Sequence, residues 1–212
     1  RNPWKTKTPS RKNPSPANAK AMIRTQPMKP KNNPLRIVQL VFVLTAAVWL
    51  GGEVFFTFVA GPMFFAPELA EALPKPRNGI VAQELIHRFT AFQLSLAAIA
   101  ALALLVGWRF ESEGEGGKFP RARALLLAAM VALIVFGLIY ITPRLEWLHQ
   151  MKYPDYFKIG TTPEETAYAN KSFGPLHGIS QVGNLVVLFG LVAQLVLAWK
   201  AAAGMNEKRD KS

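Results

Sequence analysis

Four polar side chains, His177, Ser180, Gln181 and Asn184, lie three, four and seven positions along from the first, so a helix carries all of them on one face. They interrupt a long apolar stretch. Lipid offers no hydrogen bonds, so such a face must meet protein, water or a bound molecule. An imidazole there can ligate haem iron, chlorophyll magnesium or a divalent metal. With amides and a hydroxyl beside it, the same face suits a tetrapyrrole, a metal or a quinone. Two other readings stay open: polar glue between helices, and an ion or proton path.

A second set stands elsewhere in the chain. Glu84, His87 and Arg88 share a helical face with Ala91 and Ser95, and Arg144 shares one with Tyr140 and Trp147. The three histidines, His87, His149 and His177, are the metal-ligand candidates. Glu53, in Trp49-Leu50-Gly51-Gly52-Glu53-Val54-Phe55-Phe56, is the most costly residue. An ionised side chain deep in a span costs roughly 2.5–3.5 kcal/mol on insertion scales. It therefore calls for a proton or for a cationic partner such as Arg88, Arg144 or a histidine. Gly51 and Gly52 would let a neighbouring helix approach. The sequence holds no HExxH and no CxxCH, and the Gly-Glu-Gly-Gly near residue 115 is no dinucleotide fingerprint. With no cysteine, thiolate metal sites and disulfides are excluded.

The elements that must position these residues are apolar segments at about 37–58, 89–108, 124–141 and 176–199. Each approaches the ~20 residues that cross a bilayer core. The stretch from Ala91 to Trp108 carries no charge and no polar face, which a soluble core helix would need. The expected fold is all-α: an integral membrane four-helix bundle (37–199) with a disordered-prone basic Pro-rich tail (1–36) and a polar C-terminal tail (200–212). Net charge is +12, and the first 36 residues hold ten Lys/Arg and no acid. With the N-terminus inside, 18 Lys/Arg fall inside and seven outside, an excess that rests on the tail. Both termini are then expected inside, in a bacterial cytoplasmic membrane. The true start residue stays open between the first residue, Met22 and Met28.

Between the spans, Pro67 starts a short helix, and Thr162-Pro163-Glu164-Glu165 reads as a capping box. Aromatic residues from Trp147 to Phe157 suggest a surface-lying segment within a partly helical 143–175 connection. The inner turn around Gly114–Gly117 is polar and Gly-rich. The polybasic tail suits anionic lipid or a partner subunit, and nucleic acid is not expected.

Three pieces carry a family resemblance: the Trp49–Phe56 run, Thr142-Pro143-Arg144-Leu145, and Phe173-x-x-x-His177-Gly178-x-Ser180-x-x-x-Asn184-Leu185. Across about residues 37–199 the chain resembles a bacterial four-helix membrane family of unknown function related to the eukaryotic transmembrane protein 205 family. The resemblance implies the four-helix fold and no reaction. The expected function is a non-catalytic accessory or structural subunit of a larger membrane complex. The alternatives are a small-ligand site at the outer end, drawing on Glu53, His87, Arg88, Arg144, His177 and Asn184, and a small transporter. The bound group is open among pigment, haem and lipid. The expected partners are membrane lipids and protein subunits.

Overall fold

A computed structural model describes residues 33–111 and 118–210 of the chain. Helix α1 (Asn33–Phe55) runs into a π turn (Phe56–Ala60) and then α2 (Gly61–Met63). A short α3 (Pro67–Ala72) leads to α4 (Arg77–Glu111). Helix α5 (Lys118–Phe136) runs through a second π turn (Gly137–Ile141) into α6 (Thr142–Lys152). After α7 (Pro154–Phe157), the chain ends in the long α8 (Pro163–Asp210). The described residues contain no strand. Four stretches are long and apolar enough to cross a membrane: Leu35–Met63, Arg77–Arg109, Arg121–Lys152 and Pro163–Ala201. The protein is an all-α, multi-pass membrane protein.

The first and third spans share one device. Each π turn is followed at once by Gly61-Pro62 or Thr142-Pro143. Proline has no N–H, and its ring clashes with the carbonyl four residues back. The helix widens instead: the N–H of Gly61 donates to the Phe56 carbonyl, and that of Thr142 to the Gly137 carbonyl, five residues back. We call the end of the bundle that carries these turns the π-turn end.

The core runs along the bundle through Phe42, Ala46, Trp49, Ala97, Ala100 and Ala103, and continues with Met130, Ile134, Val187 and Leu191. Small residues matter because apolar lipid gives helices little hydrophobic reason to associate, so packing must do it. Gly52 lets Phe89 and Phe92 of the second span close in, and Gly190 seats Met130. Gly51, by contrast, has nothing within 4 Å of where a Cβ would stand. The opposite end has its own buried polar lock: Gln194 donates to the Arg123 carbonyl at 2.8 Å, and the Arg123 guanidinium lies 4.0 Å over the Phe42 ring.

The helices outrun their apolar segments. The second span begins at Arg77 rather than near 89, and in its added turns Glu84 and Arg88 pair four residues apart at 2.7 Å. The expected capping box forms: Thr162 N–H donates to Glu165, and Glu165 N–H to the Thr162 hydroxyl. That helix then continues into the fourth span through Pro175. The carbonyl that Pro175 leaves without its helical donor belongs to Lys171, on an exposed turn. Where a tail was expected after 199, α8 extends to Asp210. Most of the basic tail and the Gly-rich inner turn lie outside the described residues.

Candidate functional site

Glu53 is wholly buried, with no exposed surface, yet its partner is not a cation. Gln93 of the second span donates its amide to one carboxyl oxygen. The other oxygen makes no hydrogen bond, and neither does the buried Trp49 indole N–H one turn earlier. The Trp49 and Asn184 side chains lie within reach of the same carboxyl. Asn184 donates to the Thr57 hydroxyl at 2.7 Å. The residues 49, 53 and 57 recur every four positions, so one stripe of the first span meets Gln93 and Asn184 from two others.

Beside this junction lies a cavity of about 580 Å³ lined from all four spans. Both π turns border it, through Phe56, Thr57 and Phe58 on one side and Gly137, Leu138 and Ile141 on the other. All four members of the polar face of the fourth span, His177, Ser180, Gln181 and Asn184, line it. Glu53 itself does not; it sits behind the wall formed by Thr57, Gln93 and Asn184. The lining residues Phe58, Phe136 and Ile179 are also exposed on the bundle surface. Within the cavity, His177 and Gln181 are hydrogen-bonded at 3.0 Å, and the His177 ring is parallel to Phe173.

The remaining candidates are engaged elsewhere. Glu84 and Arg88 pair with each other on the surface. His87 pairs with Glu146 at 2.5 Å. Arg144 donates to the Tyr168 hydroxyl at 3.3 Å. His149 is buried among Tyr153, Phe157 and Phe173, with Gly79 against its ring. In the connection, burial pushes the Tyr153 phenol above its ordinary range. Among the described residues no three His, Asp or Glu side chains come together as a metal-ligand set. Of the two expectations for Glu53, a proton or a cationic partner, the cation is not met: Gln93 stands beside it, and Arg88 and Arg144 are exposed.

Thr57, Gln93 and Thr142, which also line the cavity, carry little mark in the sequence: Thr57 and Gln93 are ordinary residues in apolar runs, and Thr142 belongs to the Thr142–Leu145 motif. The signal for Thr57 was its spacing: it stands one turn beyond Glu53, as Trp49 stands one turn before. Nothing local marks Gln93.

Residues 44–154 match the family described as Domain of unknown function (DUF4149). The match takes in the Trp49–Phe56 run and Thr142–Leu145 but stops before the polar face of the fourth span. No curated protein and no solved structure matches the chain.

Proposed function

This chain belongs to the DUF4149 family, and we propose that it acts as a non-catalytic membrane protein that takes a small apolar molecule from the bilayer into the cavity at its π-turn end. The observation that carries this is the cavity itself. At about 580 Å³ it falls within the range of small-molecule sites, roughly 300–1,000 Å³. It is mostly apolar, with a few convergent polar groups, and Phe58, Phe136 and Ile179 of its lining are exposed where lipid chains lie. The excess of Lys/Arg in the segments on the N-terminal side of the spans, counted along the sequence, supports a cytoplasmic-membrane orientation with both termini inside and the cavity in the outer half.

The test is photolabelling in proteoliposomes with a diazirine-bearing alkane, a probe that has a chain and no head group. Wild type should be labelled on cavity-lining peptides of the first and fourth spans. Gly183 lines the cavity, and a Cβ there meets only Leu133, at 4.0 Å. Gly183→Leu should fill the space and cut the labelling severalfold. The fold should survive, since replacing a helix-interior glycine generally favours the helix. Equal labelling of the two proteins, or none on cavity peptides, refutes the reading.

A second reading, an accessory subunit, is favoured by one face of the first span. Leu44, Val48, Gly51 and Phe55 are exposed and share a side, and Gly51 leaves it flat. Such a face suits close approach by a helix of another subunit. Gly51→Leu should then abolish a copurifying membrane protein seen by native mass spectrometry in mild detergent, with the thermal midpoint unchanged. An identical set of copurifying proteins would sink this reading.

A further inference from the structure

Hydroxyls in membrane helices normally donate their proton to the carbonyl four residues back. Three do so here: Thr45 to Val41 at 2.8 Å, Thr90 to Ile86 at 2.9 Å and Ser95 to Ala91 at 2.8 Å. Among the described residues, Thr57, Thr142 and Ser180 donate to no protein acceptor, and all three line the cavity. Thr57 accepts from Asn184, so its own proton remains to be given. Thr57 lies within one π turn and Thr142 directly after the other, where the widened helix displaces the usual acceptor. The cavity thus presents hydroxyl donors that the protein does not use.

Its lining contains no Asp, Glu, Lys or Arg. A carboxylate, phosphate or ammonium head would enter without a counter-ion, which burial penalises heavily. His177, the one titratable group in the lining with an ordinary value near neutrality, is occupied by Gln181.

We infer that the ligand is an uncharged lipid-phase molecule whose carbonyl oxygens accept hydrogen bonds from Thr57, Thr142 and Ser180, while its apolar tail leaves between Phe58, Phe136 and Ile179. This rests on the cavity binding a bilayer molecule at all. Quinones and neutral glycerolipid esters share this chemistry.

The experiment uses the full chain in a maltoside detergent, which has no carbonyl group, and competes the diazirine-alkane label with four unlabelled compounds. These are a short-tailed benzoquinone, dioctanoylglycerol, dodecanoate and dodecane. Dodecane and dodecanoate should compete at least about tenfold less well than the better carbonyl compound, a difference that one or two hydrogen bonds supply. Which carbonyl compound wins tells quinone from ester. Ser180→Ala and Thr142→Val should each weaken that competitor by about three- to tenfold and leave dodecane unchanged. Thr57→Ser, which keeps the hydroxyl, should compete as wild type does, whereas Thr57→Val should weaken the carbonyl competitor.

Dodecane competing as well as the carbonyl compounds, or dodecanoate competing better, overturns the head-group inference while the cavity still binds. Ser180→Ala and Thr142→Val proteins that leave carbonyl competition unchanged overturn it as well. Absence of cavity labelling by the alkane itself brings down the binding reading instead.

Discussion

Glu53→Ala is expected to lower the stability of the bundle by about 2–4 kcal/mol, the largest effect of any single truncation at the polar junction. Two costs add. The Gln93 amide, which is buried, loses its acceptor, and an unmet buried donor costs about 1–3 kcal/mol. The rest is the space left beside Trp49, which is nearly fully buried. Membrane hydrogen bonds measured in isolation average only about 0.6 kcal/mol, so the lost bond by itself would not suffice. Glu53→Gln keeps the shape and an oxygen that can accept from Gln93, and should cost under about 1 kcal/mol. Unfolding in mixed detergent and dodecyl sulfate micelles measures both. The double variant Glu53→Ala with Gln93→Ala should cost less than the sum of the two single variants. An alanine variant as stable as wild type would show that the junction holds nothing together.

The second large effect is at Gly79, far from that junction in sequence. A Cβ there would stand inside contact distance of the His149 ring, which is held on its other sides by Tyr153, Phe157 and Phe173. The neighbour is a boxed-in aromatic ring rather than a flexible tip, so it has nowhere to go. Gly79→Leu should therefore cost about 1–3 kcal/mol by overpacking and loosen the contact between the starts of the second span and the end of the third. The His149 Nδ1 is buried without a partner, so the imidazole is present for its shape more than for its bonding. Gly79→Leu combined with His149→Ala should recover most of the loss in the same unfolding measurement. A lack of recovery would place the damage in the backbone at Gly79 instead.

How much of the site was legible depended on the range over which each signal acts. The stripe of His177, Ser180, Gln181 and Asn184 could be read because helical spacing is local, and all four line one cavity. Glu53 stood out by its cost in an apolar run, and it is buried. Its partner could not be read: any of several polar residues on other helices could have faced it, and the choice of Gln93 depends on helix rotation. The charges at the π-turn end illustrate the same limit. Glu84 and Arg88 satisfy each other at a spacing of four, and His87 finds Glu146. Sharing one end of a bundle therefore did not make them one cluster.

The sequence by itself determined that this is a four-span helical membrane protein, because length and hydropathy set the bilayer crossing one segment at a time. It also determined the Thr162–Glu165 capping box that starts the last helix. Only the tertiary structure decided that the two proline-driven π turns border the same space, that Thr57, Thr142 and Ser180 face it with unspent protons, and that Glu53 lies behind its wall. The reason is physical. Crossing a membrane is a property of one helix and its solvent, whereas a cavity is a property of how several helices rotate and approach. That is set by packing at residues such as Gly52 and Gly190, which carry no local mark of their partners.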